Sequence, residues 1–129
     1  MHDLYIENRI YYHDTDCGGV VYYANYLKHL EEARSEYFAS RGIDLKKMGE
    51  EGTYFVVARV ELNYKAPARY QDKIRITAKV EKLGAASIYF AQRIERGTEL
   101  ILEAKTVLVC VDREFQPKAI PAGLKDALA

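Results

Sequence analysis

A chain of 129 residues, 49% hydrophobic and 29% charged, is the size of one domain with an ordinary globular balance. This excludes disorder and lets roughly two-thirds of the unfolded surface be buried without staples. Its 19 basic residues match 19 acidic ones, so no net field draws nucleic acid or an anionic membrane, and an anionic ligand must be met by local charges. The start, Met1 to Tyr5, has neither a basic nor an apolar leader, and no apolar run is long enough to span a bilayer, so a cytoplasmic protein with Cys17 and Cys110 as free thiols is expected.

Leu4 to Tyr12 alternates, with Ile6, Ile10 and Tyr12 on one face, and predicts a strand. The run His13-Asp14-Thr15-Asp16-Cys17-Gly18-Gly19 then breaks the pattern with residues that favour turns. From Tyr23 to Arg41 the period becomes helical, with Tyr23, Tyr26, Leu27, Leu30, Ala33, Tyr37 and Phe38 on one stripe and Gly42 placed as a left-handed cap. Ile43 to Gly52 reads as a short helical turn and loop. Four alternating segments follow: Tyr54 to Tyr64, Lys73 to Leu83, Ser87 to Arg96 and Leu100 to Asp112, read as meander strands joined at Ala66-Pro67-Ala68 with Gln71-Asp72, at Gly84, and at Arg96-Gly97-Thr98. Pro117 and Pro121 lead into a last helical turn, Ala122 to Leu128. No repeat or linker interrupts residues 1–129, so one α+β domain is expected, its antiparallel sheet wrapped around the long helix. Long free strand edges point to a homo-oligomer.

The segment richest in chemistry runs from Tyr11 to Tyr26, where two carboxylates and a glycine pair precede the helix. The first N–H groups of a helix lack intrahelical partners and sit at the positive end of its dipole, so they suit an oxyanion. Gly18 and Gly19 let a ligand approach the backbone, and a loop carboxylate facing the same volume could act as base or nucleophile. An Asp-Thr-Asp-Cys-Gly-Gly run is equally what a plain capping turn contains.

This segment resembles the N-terminal signature of the 4-hydroxybenzoyl-CoA thioesterase family, particularly its YbgC-like acyl-CoA thioesterase branch, through Asp14, Asp16, Gly19, Val21 and Tyr26. The likeness continues through Glu32-Ala33-Arg34, Asn63-Tyr64, Tyr70-Gln71-Asp72, Cys110-Val111-Asp112 and Ile120-Pro121. It implies a hotdog fold, an antiparallel sheet of about five strands around one long central helix. It also implies hydrolysis of acyl-CoA thioesters without metal or cofactor, in a homodimer or homotetramer whose pocket is completed across a subunit interface. The resemblance assigns catalysis to Asp16 and carbonyl polarisation to the backbone N–H of Tyr23, with Asp14 as a loop-shaping residue. Many YbgC-like members carry histidine at the Tyr23 position and the hydroxybenzoyl-specific branch carries tyrosine, so the imidazole's role is absent here and the acyl group stays open between aromatic and aliphatic.

Gly19, Val20 and Tyr26 are expected to line the substrate site. Arg59, Lys65, Arg69 and Lys82 are candidates for the coenzyme A phosphates, and Ser87 is a further contact on its hairpin. Asp16 either attacks the thioester carbonyl to give a mixed anhydride or deprotonates a water. Against a metal site stand the missing Cys-x-x-Cys and His-Glu-x-x-His spacings among His13, Asp14, Asp16, Cys17 and His29. Glu31 and Glu32 on the helix read as surface ion pairs with Lys28 or Arg34. The alternative to an enzyme is a module that binds acyl-CoA or an acyl carrier protein without turnover.

Overall fold

The computed structural model describes residues 4–129; the leader reading for Met1 to Asp3 lies outside them. Five strands, β1 (Leu4–Arg9), β2 (Tyr54–Tyr64), β3 (Lys73–Leu83), β4 (Ser87–Arg96) and β5 (Glu99–Val111), form one antiparallel sheet in the order β1-β3-β4-β5-β2. The long helix α1 (Tyr26–Ser40) lies on its inner face, and the short helices α2 (Leu45–Glu50) and α3 (Ala122–Leu128) close the end beyond it. No helix among the described residues is long and apolar enough to cross a membrane.

The core follows from the alternation. Ile74, Ile76, Ala78 and Val80 of β3, Ile88, Phe90 and Ile94 of β4, and Leu102, Ala104 and Leu108 of β5 all turn inward. They meet Tyr26, Leu30, Ala33, Tyr37 and Phe38 of α1, with Tyr37 set edge-on to Phe90 at 5.4 Å between ring centroids. Each valine, leucine, isoleucine or phenylalanine among them taken fully out of water contributes about 1.5–3 kcal/mol. Helix α1 stops where expected: Gly42 has φ 73°, its N–H bonds the Ala39 carbonyl and the Ile43 N–H bonds that of Phe38.

Three expectations change. First, β1 ends at Arg9 and the chain turns through a 3-10 turn at Tyr12–Asp14. Tyr12 therefore leaves the core face and stacks at the surface on Tyr70, 3.8 Å between centroids. Second, Tyr23–Asn25 is a 3-10 turn and the α-helix proper begins at Tyr26, while Leu27 is exposed. Third, β2 and β3 are not hairpin partners. They occupy opposite parts of the sheet, and residues 65–72 carry the chain across its end. The Lys65 and Ala66 N–H groups bond the Ile101 carbonyl, and Arg96 grips the Pro67 carbonyl at 3.1 Å and the Asp72 carboxylate at 2.5 Å, so this link is a crossing strap pinned to the sheet end. The β3-β4-β5 meander is as read from the sequence.

Candidate active site

The loop between β1 and α1 lands on that strap. Val20 pairs with Arg69 as an isolated bridge, the Val21 N–H bonds the Ala68 carbonyl, and the Ala68 N–H donates to the Tyr26 hydroxyl oxygen at 3.0 Å. Tyr26 is only 3% exposed, so its side chain lies in the wall under the loop and anchors it, rather than offering a face to a ligand. Val20 is half-buried against the same strap.

Within the loop the chain folds on itself. Thr15 bridges Val21, the Asp16 N–H bonds the Val20 carbonyl, and the Gly19 N–H bonds the Asp16 carbonyl. Gly19 has φ 82°, a conformation glycine adopts without cost. The Gly18 N–H donates to Asp16 Oδ1 at 2.7 Å, which fixes the carboxylate's orientation while the side chain faces solvent in the single subunit. A Cβ at Gly18 would sit 3.2 Å from that oxygen, so the glycine there keeps space for the carboxylate.

Asp14 is the buried centre of the loop, 1% exposed. Its carboxylate accepts from the Tyr11 N–H at 3.0 Å and from His29 Nε2 at 3.0 Å, and its main-chain carbonyl accepts from the Tyr22 N–H and from Asn25 Nδ2. Tyr23 follows directly. It is 62% exposed, and among the described residues no hydrogen bond engages its N–H, while its carbonyl accepts from the Tyr64 hydroxyl at 3.2 Å. The loop thus presents an oriented carboxylate at one end and an unpaired N–H at the other.

Tyrosines surround that N–H. The Tyr22 and Tyr23 rings are 4.8 Å apart, and the hydrogen bond to Tyr23, with its charge and a little burial, holds the Tyr22 phenol above its ordinary pKa. Burial, with Tyr26 and Tyr23 nearby, raises Tyr64 likewise. At neutral pH Tyr22 and Tyr64 are therefore hydrogen-bond donors and not bases.

The other predicted contacts are spread apart. Lys65 and Arg69 lie on the strap beside the loop. Arg59 is midway along β2, exposed and paired with Glu61 at 2.5 Å. Ser87 and Lys82 lie toward the opposite end of the sheet, since Ser87 begins β4 and Arg96, beside the strap, ends it. Nine residues of strand separate those two, roughly 30 Å at about 3.3 Å per residue. One subunit does not bring Ser87 to Asp16. The thiols are separate, Cys17 exposed and Cys110 buried. On α1, Glu31 accepts from Ser35 and Glu32 from Asn8, so the expected lysine pairings are replaced.

Sequence reasoning weighed His29 only as a metal ligand and Tyr64 only as part of the resemblance, and missed the contacts that His29, 6% exposed, makes with Asp14 and Asn8 and that Tyr64 makes with Tyr23. For His29 a signal existed: it sits on the apolar stripe between Tyr26 and Leu30, where a polar side chain needs a buried partner.

A family model described as the thioesterase-like superfamily matches residues 11–128. The acyl-CoA thioester hydrolase YbgC of Escherichia coli is 36% identical over 118 residues, 90% of this chain and 88% of that protein. The crystal structure of a probable thioesterase from Bartonella henselae superposes with a TM-score of 0.89 at 29% identity, covering 93% of this chain and 100% of the other. The DHNA-CoA thioesterase of Staphylococcus aureus superposes at 0.93 with 26% identity, covering 98% and 89%. Likeness in sequence as well as architecture, held from the first residues of the loop to the last helix, decides the family: the protein belongs to the thioesterase-like superfamily, as a YbgC-like member with the hotdog fold.

Proposed function

We propose that the protein hydrolyses acyl-CoA thioesters to a free acid and coenzyme A, with Asp16 as the reacting carboxylate and the Tyr23 N–H as the oxyanion donor. The observation that carries this reading is the single loop that holds Asp16 Oδ1 on the Gly18 N–H and ends in a Tyr23 N–H with no internal acceptor. A thioester carbonyl is electrophilic and its thiolate leaves readily, so one carboxylate and one oxyanion donor suffice. The donor is worth about 3–4 kcal/mol where such groups have been removed from other enzymes. Asp16 has one oxygen occupied by Gly18 and the other available, which serves attack on the carbonyl or deprotonation of a water.

The working unit in this reading is a two-fold pair joined along β2. That edge is free, and Val57 (53% exposed) and Val60 lie along it although they stand opposite the buried Leu108 and Thr106. Antiparallel pairing there sets the end of one β2 beside the start of the other, which carries Arg59 and Ser87 of the partner subunit toward the Asp16 loop. Lys65 and Arg69, already beside it, then share the coenzyme A phosphates.

The test is thiol release from short aliphatic, long aliphatic and aromatic acyl-CoA esters. Asp16→Asn is expected to lose at least roughly a hundredfold in kcat while remaining folded. Binding without turnover of any ester by the wild type would sink the hydrolase reading. Label found in Asp16 after a single turnover in 18O water identifies the anhydride route, with water opening the anhydride at the Asp16 carboxyl carbon so that the product acid leaves with the oxygen that Asp16 had supplied.

A further inference from the structure

Two buried polar clusters lie outside the groups already given a role. In one, Arg34 donates to Gln92 Oε1 at 3.0 Å while Gln92 Nε2 donates to the Leu30 and Thr77 carbonyls, which ties α1 to β3 and β4 and reaches no part of the loop. The other runs from the surface to the loop itself: Glu32, Asn8, His29, Asp14.

We infer that His29 is a positioning residue for the reaction, acting as a neutral imidazole that clamps the Asp14 carboxylate and so holds Asp16 and the Tyr23 N–H in register. The inference rests on the function proposed above. Asp14 lies two residues before Asp16, and its carbonyl holds the Tyr22 N–H, the peptide just before Tyr23. One residue therefore joins the carboxylate end of the site to the oxyanion end. Its own carboxylate is buried and needs donors. One is the Tyr11 N–H and the other is His29 Nε2, so α1 sets the loop through this ring. His13 also approaches the same oxygen, at 3.8 Å, but its ring is exposed and free to move away.

The rest of the chain selects the tautomer. With hydrogen on Nε2 facing Asp14, Nδ1 is an acceptor, and Asn8 Nδ2 lies 2.9 Å from it. The second hydrogen of that amide goes to Glu32 Oε1 at 2.7 Å. Turning the amide over would set its oxygen against the Glu32 carboxylate. Glu32 thus orients Asn8, Asn8 keeps Nδ1 free of hydrogen, and the remaining hydrogen sits where Asp14 requires it.

Two variants separate positioning from mere structure. His29→Leu removes the donor, whereas His29→Gln keeps an amide nitrogen at about the reach of Nε2. His29→Leu is expected to lower kcat about tenfold or more with KM little changed, since small misplacements near a reacting centre cost rate before affinity. Exchange of the Tyr22 and Gly18 amides is expected to speed up in the same variant, and Gln is expected to restore both rate and protection. Nitrogen-15 spectra of the wild type at neutral pH should show the neutral Nε2–H form. Should the leucine variant not fold, Asn8→Ala, which frees the tautomer from a half-buried position, is expected to lower kcat in the same direction. Unchanged kcat and exchange in His29→Leu, failure of Gln to restore them, or an Nδ1–H imidazole would overturn the inference. If the wild type hydrolyses no thioester, the functional reading fails instead, while exchange and tautomer still decide the role of His29.

Discussion

Thr106 faces inward from the middle of β5, only 1% exposed, and its hydroxyl has no hydrogen-bond partner among the described residues. A buried hydroxyl left unpaired costs about 1–3 kcal/mol, and valine has nearly the same shape without the polar atom. Thr106→Val is therefore expected to raise stability by about 1 kcal/mol in urea unfolding, with the m-value unchanged. A loss of stability would mean that the hydroxyl has a partner in the assembled protein. Asp14 is the opposite case, a buried carboxylate whose two oxygens are both engaged. The resemblance implied a loop-shaping residue at this position, and the donors that let it be buried come from Tyr11 and from His29, fifteen residues away.

At the scale of the element, the loop from Thr15 to Val21 shows two glycines with different work. Gly19 supplies a positive φ, and Gly18 supplies an N–H and an empty Cβ position beside Asp16. Gly19→Ala should cost about 1–2 kcal/mol of stability, measured by thermal or urea unfolding, because alanine is strained at φ 82°. Gly18→Ala should leave stability nearly intact but push the Asp16 carboxylate, lowering kcat about tenfold in the thiol-release assay. Equal effects of the two on stability and rate would refute this division. The strands β3 and β4 and helix α3 run as their alternation or helical period predicts, because one buried face and one solvated face impress period two or 3.6 on the sequence, whereas β2 keeps its predicted range with no buried residue of its own. The 3-10 turn at Tyr23–Asn25 was not legible, since its apolar spacing continues that of α1, while the bonds that hold it come from the Tyr22 N–H and the Asn25 side chain to the Asp14 carbonyl and from the Tyr64 hydroxyl to the Tyr23 carbonyl.

For the whole molecule, the order β1-β3-β4-β5-β2 leaves β2 as an edge and leads the strap of residues 65–72 across the end of the sheet, beneath the Asp16 loop. Edges of this length with exposed apolar side chains are pairing surfaces. If the protein pairs along β2 as proposed, Val57→Lys is expected to convert the dimer to monomer by light scattering after size exclusion, and to lower turnover in step, because the proposed site draws Ser87 from the partner subunit. A monomeric variant with full activity would refute the shared site.

The sequence by itself determined most of the elements and the α+β class, and through the resemblance of its motif from Asp14 to Tyr26 the hotdog family, because periodicity, turn residues and a contiguous motif are local records. Tertiary structure alone decided which strands are neighbours, that Tyr26 is an anchor under the loop, that Ser87 lies at the far end of the subunit, and that Asn8, His29 and Glu32 converge on Asp14. Strand order and buried polar pairing join residues far apart in the chain, and no local periodicity records which distant partner satisfies a buried group.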